Sequence, residues 1–598
     1  MGRYNVLMLL AALVVPVAAA HATPTTFTTS LTQANEVPPT GSPATGSATI
    51  VLDPAANTLG VHVTFSGLTS NTTMAHIHCC LAFPLETQFN VGVATTVPAF
   101  PGFPLGVTSG TYDNVLDLTQ ASSYNPAFVT MQGGTIAGAE AALIKGIQNG
   151  ETYLNIHTTK FPGGEIRGFL VAAPAPAQLS LLNTIPINGT AASPNTKMFS
   201  FDISWVDPTT GLYFLADRSN ASLDVIDTTG AHTGTPDTLF GQIGGPAPNG
   251  AGFAGDTGNT ATSGPNGVTV SPNSSCIFAT DSASTGGGRV VSFNYSVSFT
   301  APVSSLQTGG SGRADELAFD PKDQLLLVIN NADTPPYGSL ISVSFSCGLS
   351  LVKQFPFTSP VNATGGAEQP VWDPGTQKFY LSIPQIDGSS TTGGVLRINT
   401  SGVFENFYPI NFCGPAGLTV GPNEDLLVGC NTVFTTSGNA CTTVVAGAGT
   451  NGATLQSLGA IVPPSCNGIA NSQAVICNVT PGRDCTGNAL VSVPGVGGGD
   501  EVWFNFGDGN YYVTGGNEPG GPVFGVVASG ADTLSQVVGT LYAQLQQGVA
   551  GTASFVHSAG TVHSIAASAA NNHVYVALPA NTAYPNCSQG CIAVFGVP

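Results

Sequence analysis

Three histidines carry the most recognisable chemistry in the first third of the chain. His76 and His78 stand at i and i+2 in Met74-Ala75-His76-Ile77-His78. On a strand, residues two apart share a face, so both imidazoles project to the same side. His157 closes Thr152-Tyr153-Leu154-Asn155-Ile156-His157, with Tyr153 and Asn155 on its face and Leu154 and Ile156 on the other. If the two strands are neighbours, three imidazoles meet. Three His with an open position suit Zn or Cu, and a thiolate from Cys79 or Cys80 would favour Zn or Cu(I). The alternative is structural: the histidines hydrogen-bond nearby loops, beside an ion pair between Glu165 and Arg167.

A second constellation emerges when the C-terminal part is aligned on itself. A polar residue, an apolar residue four positions later, a turn often containing Pro and an apolar strand recur at 202–217, 266–281, 315–330 and 368–383. Weaker copies lie at 416–431, 500–515 and 563–578. Stacking them puts Asp202, Asn266, Asp315, Glu368, Ala416, Asp500 and His563 in one column. At the start of inner strands such a column rings one mouth of a central channel. Crowded carboxylates raise one another's pKa unless a cation or donor is present. Ca²⁺ would relieve that repulsion. It would also polarise a substrate carbonyl, with His563 as base, giving a lactonase- or esterase-like hydrolase. The plainer alternative is that Asp and Asn cap turns at strand starts. No catalytic residue is assigned.

Strands must position both sets. The apolar anchors of the copies, at 206, 270, 319, 372, 420, 504 and 567, are separated by 64, 49, 53, 48, 84 and 63 residues. Strand-turn-strand repeats near this period predict a β-propeller, in which each blade buries its faces against its neighbours. Seven copies give about seven blades, with six or eight also compatible. The longest gap holds an insertion with Cys441, Cys466, Cys477 and Cys485. Upstream, period-2 runs at 47–53, 59–65, 74–78, 152–157 and 165–171 predict antiparallel strands, and 137–150 reads as a helix ending at Asn149-Gly150. The fold class is therefore all-β: a sandwich or barrel over 23–172, a Pro/Ala linker at 173–177 and a propeller over 178–598.

The first unit carries further motifs. Gln33-Ala34-Asn35-Glu36-Val37-Pro38-Pro39, Gly46-x-Ala48, Ala75-His76-Ile77-His78, Asn155-Ile156-His157-Thr158 and Pro162-Gly163-Gly164-Glu165-Ile166-Arg167-Gly168 follow in order. Together they resemble the CHRD (chordin) domain over about residues 27–171. The resemblance implies a β-rich extracellular module, which in animal chordin belongs to a growth-factor antagonist. Cys79-Cys80 depart from the Gly-Pro that many members carry after the second His. The repeat part resembles the NHL/YVTN class of propellers, a likeness of fold and not of activity.

Composition bounds the partners. The chain of 598 residues has 13 Lys+Arg against 33 Asp+Glu, a net charge of -20. So few cations argue against nucleic acid and against anionic membrane surfaces as partners. Residues 1–22 read as a secretory signal: Arg3, an apolar stretch from Val6 to Val17, then Ala20-His21-Ala22. That stretch is shorter than the ~20 residues of a spanning helix, so no stable membrane span is expected. Twelve cysteines suit an oxidising compartment, secreted or periplasmic, although their connectivity is open. For Cys79-Cys80 a vicinal bridge, cross-domain bonds, free thiols and metal ligation all stand. The expected function is an exported, non-catalytic binding or scaffolding protein for an extracellular protein or glycan partner. The alternatives are the channel hydrolase and a Cu/Zn-handling protein.

Overall fold

A computed structural model describes residues 24–598 except 82–86, 175–178, 190–196, 245–251, 272–274, 283–286, 298–300, 390–391, 434–472, 480–489, 494–495, 497–499, 516–522, 531–532, 540–562 and 583. The segment read as a signal, most of the expected linker, and Cys441, Cys466 and Cys485 lie outside the described residues.

The N-terminal unit is one curled, half-barrel sheet. Its strands are β1 (Thr25–Thr32), β2 (Thr45–Asp53), β3 (Thr58–Ser66), β4 (Thr72–Cys79), β5 (Gly110–Asp117), β6 (Thr152–Thr158), β7 (Ile166–Phe169) and β8 (Val171–Ala172). They run β4-β6-β7-β1-β2-β3-β5, with β8 also on β1. Alternation in β2 and β3 sends Ala48, Ile50, Leu52, Leu59, Val61 and Val63 inward, as period-2 patterning requires. The concave side is filled by α1 (Pro126–Met131) and α2 (Ile136–Gln148). Each helix is capped by its preceding residue: Asn125 accepts from Ala127 N–H and Thr135 from Gly138 N–H. Ala139, Leu143 and Ile147 of α2 are buried in this core.

Seven four-stranded antiparallel sheets follow, at 204–244, 268–309, 317–356, 370–411, 413–493, 502–539 and 565–596. The seventh has three strands of its own. Its outermost strand is β9 (Ser180–Pro186), which pairs antiparallel with 591–596 and joins the two ends of the ring. All seven anchor positions lie in the first strand of a blade, and 206, 270, 319, 372, 504 and 567 are buried. Three described disulfides staple the ring, Cys276–Cys347, Cys413–Cys430 and Cys587–Cys591. The first links the second blade to the third. Among the described residues no helix is long and apolar enough to cross a membrane.

The first hairpin turns of the blades face the N-terminal unit. Asn149 donates to Pro208 O at 3.4 Å, and Gln88 to Gly375 O at 2.9 Å. Gly150 sits against the Phe506 ring, where a Cβ would come within 2.7 Å of Cδ1. The strand-start column therefore lies toward the other mouth of the channel.

Candidate metal centre in the N-terminal domain

β4 and β6 are neighbours, and their register makes the histidine cluster. His76 pairs with Asn155, His78 with Tyr153 and Met74 with His157. The three rings meet with centroids 4.9 Å (His76–His157), 5.4 Å (His76–His78) and 6.1 Å (His78–His157) apart. One ligand nitrogen from each lies within 4.8 Å of the others. All three side chains are buried.

Hydrogen bonds select the nitrogens that remain. His78 Nδ1–H donates to Val91 O at 2.7 Å, and His157 Nδ1–H donates to Pro162 O at 2.9 Å. A carbonyl only accepts, so each Nδ1 carries the proton and each Nε2 keeps its lone pair. The Nε2 atoms of His78 and His157 and both ring nitrogens of His76 are buried without a hydrogen-bond partner. Buried polar atoms are ordinarily paired, so four orphans in one cluster call for a ligand. Burial, followed by the charges of His157 and His78, pushes His76 down to about 3. Burial likewise holds His78 at about 4 and lowers His157. The imidazoles are thus neutral near neutral pH, the state in which imidazole binds a metal.

Around them stands a second layer. The Tyr153 ring stacks on His78 at 4.7 Å, and the Arg167 guanidinium lies 4.4 Å from the Tyr153 centroid. Glu36, from the Gln33–Pro39 motif, is buried with Oε1 unpartnered and is pushed up to about 7 by burial, against the pull of Arg167 and Asn155. A Cβ at Gly164 would sit 2.5 Å from Glu36 Oε1 and 2.8 Å from Asn155 Nδ2, so the Pro-Gly-Gly-Glu turn needs glycine there. Sequence reading did not single out Glu36, although an acid between Asn and Val-Pro-Pro in a charge-poor chain was a visible signal.

Two expectations change. Among the described residues Glu165 and Arg167 do not pair. Glu165 accepts from Ser42 Oγ, Thr158 Oγ1 and the Thr69 N–H, while Arg167 reaches Asn90 Oδ1 at 2.8 Å and Phe89 O at 3.3 Å. Nor do Cys79 and Cys80 offer a thiolate, since they are bonded to each other and pack on Gly146 of α2.

The propeller column is a charge network with its own cations. Arg218, buried, ion-pairs with Asp202, and its Nε–H donates to Asn266 Oδ1 at 2.9 Å. Asn266 in turn donates to Ser263 O and Ala314 O. Arg313 bonds Asp315 at 2.7 Å, and Asn331 bridges Asp315 and Glu368. His563 Nε2 lies 2.7 Å from Asp202 Oδ1 and 3.2 Å from Asp500 Oδ2. Asp202, Asp500 and His563 offer ligand atoms within 4.8 Å of one another, yet the same imidazole nitrogen already serves both carboxylates. Arginine supplies the positive charge that the sequence reading assigned to Ca²⁺. Ala416 is buried and contributes none.

The CHRD family model matches residues 27–170. The N-terminal unit is a CHRD domain. Four of its five separated motifs converge on the histidine cluster and its surroundings: the first brings Glu36, the third and fourth the three imidazoles, the last Arg167. No curated protein matches the chain. Among solved structures the chain is similar to "Kuenenia stuttgartiensis Hydrazine Synthase", with 11% identity, 66% of this chain and 98% of that one covered, and a TM-score of 0.42. It is also similar to "Dihydro-heme d1 dehydrogenase NirN in complex with DHE", with 11% identity, 69% and 78% covered, and a TM-score of 0.34. At these scores nothing about activity transfers to this chain.

Proposed function

We propose that this is an exported binding protein whose CHRD domain holds one Zn or Cu ion on His76, His78 and His157. The observation that carries the reading is the set of buried, unpartnered imidazole nitrogens, with the Nδ1 atoms of His78 and His157 fixed by backbone carbonyls. Orienting a ligand histidine through its other nitrogen is the usual outer-layer arrangement of metal sites. Three neutral nitrogens leave a coordination position for water or a substrate atom. The described disulfides and the absence of a membrane-crossing helix among the described residues are compatible with a life outside the cytoplasm.

The propeller would present the recognition surface of the same molecule, to an extracellular protein or glycan. The hydrolase reading has less support, because the carboxylates it needs are already paired with Arg218, Arg313 and His563. Calorimetric titration of the metal-free full chain with Cu²⁺ and with Zn²⁺ tests the proposal. One saturable site lost in His76→Ala supports it, and the absence of such a site removes it.

A further inference from the structure

The propeller encloses a cavity of about 490 Å³. It runs from the level of Glu316 and Glu501 to the edge of the CHRD domain, where Phe169 and Val171 close it. Its walls come largely from the blades' first strands and the residues that flank them. One layer places Glu316, Gln369 and Glu501 inward, and two residues further on a second layer places Trp205, Val371 and Trp503.

Two features decide what such a space accepts. The chain has 3 Trp, and Trp205, Trp372 and Trp503 all line this one cavity. Trp205 and Trp503 meet edge to face at 5.1 Å and keep part of their surface open. The ionisable residues among the described lining are all acidic: Glu316, Asp373, Glu424, Asp425 and Glu501. No Lys, Arg or His is among them.

We infer that this cavity is a binding site for an organic cation, an ammonium bearing apolar or aromatic substituents. Tryptophan faces attract a cation electrostatically, most strongly where water is excluded. Glu316 is 5% exposed, and its Oε2 has no partner. Burial, then the nearby acids Asp315, Glu368, Asp500 and Glu501, hold its proton on well above the carboxylate range. An entering cation would reverse that balance, release the proton and take the carboxylate as its counterion. Glu501 is already engaged, its carboxyl oxygens meeting Ser204 N–H, Ser204 Oγ, Ser564 Oγ and Ile565 N–H. An anion would face only acids. A bare metal ion would leave the aromatic walls unused, and the volume matches that of small-molecule sites, roughly 300–1,000 Å³.

Intrinsic tryptophan fluorescence reports on this cavity through Trp205 and Trp503. The full chain is titrated with benzyltrimethylammonium chloride at constant ionic strength, and in parallel with benzyl alcohol as the neutral probe. The expected result is a saturable change with the cation and at least about ten-fold weaker binding of the alcohol. Glu316→Gln should weaken the cation by about ten-fold and leave the alcohol unchanged. Should that variant not fold, Trp503→Leu replaces it, with loss of cation affinity expected. No saturable change, equal binding of the two probes, or unchanged cation affinity in the variant tested would overturn the assignment.

Discussion

His76 packs edge-on against His157, ring centroids 4.9 Å apart and planes at 66°. Neither nitrogen of His76 has a partner, so the contact leaves polar atoms buried in a cluster that burial keeps neutral. Without a ligand this arrangement costs stability, since an unsatisfied buried acceptor forfeits its water.

That cost can be measured. In metal-free protein His76→Leu should be neutral or raise the thermal midpoint. Added Zn²⁺ should stabilise the parent by about 4 kcal/mol at a thousandfold excess over Kd, and the variant by much less. Thermal unfolding with and without Zn²⁺ separates the two effects. A variant that loses stability only when metal-free, and still responds to Zn²⁺, would argue for a purely structural His76.

Stability of the metal-free protein should fall through the neutral and mildly alkaline range. Glu368 and Glu501 are each raised from 4.5 to about 8, both mainly by burial. The folded state keeps those protons after the unfolded state has released them, so stability falls as pH rises from about 4.5 to about 8. The histidines act in the opposite direction. Unfolded, they take up protons below about 6.5, while His78 stays neutral in the fold to about 4 and His76 to about 3. Denaturant titrations should show stability falling from about pH 6.5, where the histidine contribution ends, to about pH 8, and Glu368→Gln should flatten that fall. Stability still climbing above about pH 7.5 would contradict this balance.

Arg218→Met isolates the channel network. Removing one partner of a buried ion pair leaves the other charge uncompensated, so the loss should be about 3–5 kcal/mol. Asp202 is the stranded group, 4% exposed, with Asn266 losing its donor as well. Adding Asp202→Asn should recover part of the loss. Equilibrium unfolding of the single and double variants checks it, and a single variant as stable as the parent would remove Arg218 as the countercharge.

Replacing Cys276 and Cys347 by Ser should lower stability by about 4 kcal/mol, from the chain entropy of a closed loop this long. The separation is 71 residues, and the bridge joins adjacent blades, so local protection should fall in both. Hydrogen exchange at 276–282 and 337–343 reads the effect.

Much of this was legible. Alternation of Tyr153, Asn155 and His157 gave their shared face, and one antiparallel pairing of β4 with β6 was the only added fact needed to close the cluster. The propeller showed itself through inner-strand anchors such as Val206, Phe319 and Trp372, which are buried and hence apolar in each copy. Outer strands did not show. Their pattern is dominated by exposed residues, as at Leu349–Pro356, and shifted by bulges at Leu340/Ile341 and equivalent points. Closure by β9 escaped for another reason. It pairs residues 180–186 with 591–596, a contact no local pattern encodes. The partners of these acids were missed because Arg218 and Asn331 each stand 16 residues after Asp202 and Asp315, just past the end of the aligned copies, while Arg313 precedes Asp315 by 2. The short helix Pro126–Met131 was missed as well, being too brief for periodicity to mark.

Elemental analysis of the full chain, expressed into an oxidising compartment and purified without a metal-affinity tag, tests the central claim most directly. The account predicts about one equivalent of Zn or Cu per chain, falling below about a tenth in His76→Ala/His78→Ala. A folded parent without stoichiometric transition metal, or a double variant that retains it, would contradict the three-histidine centre.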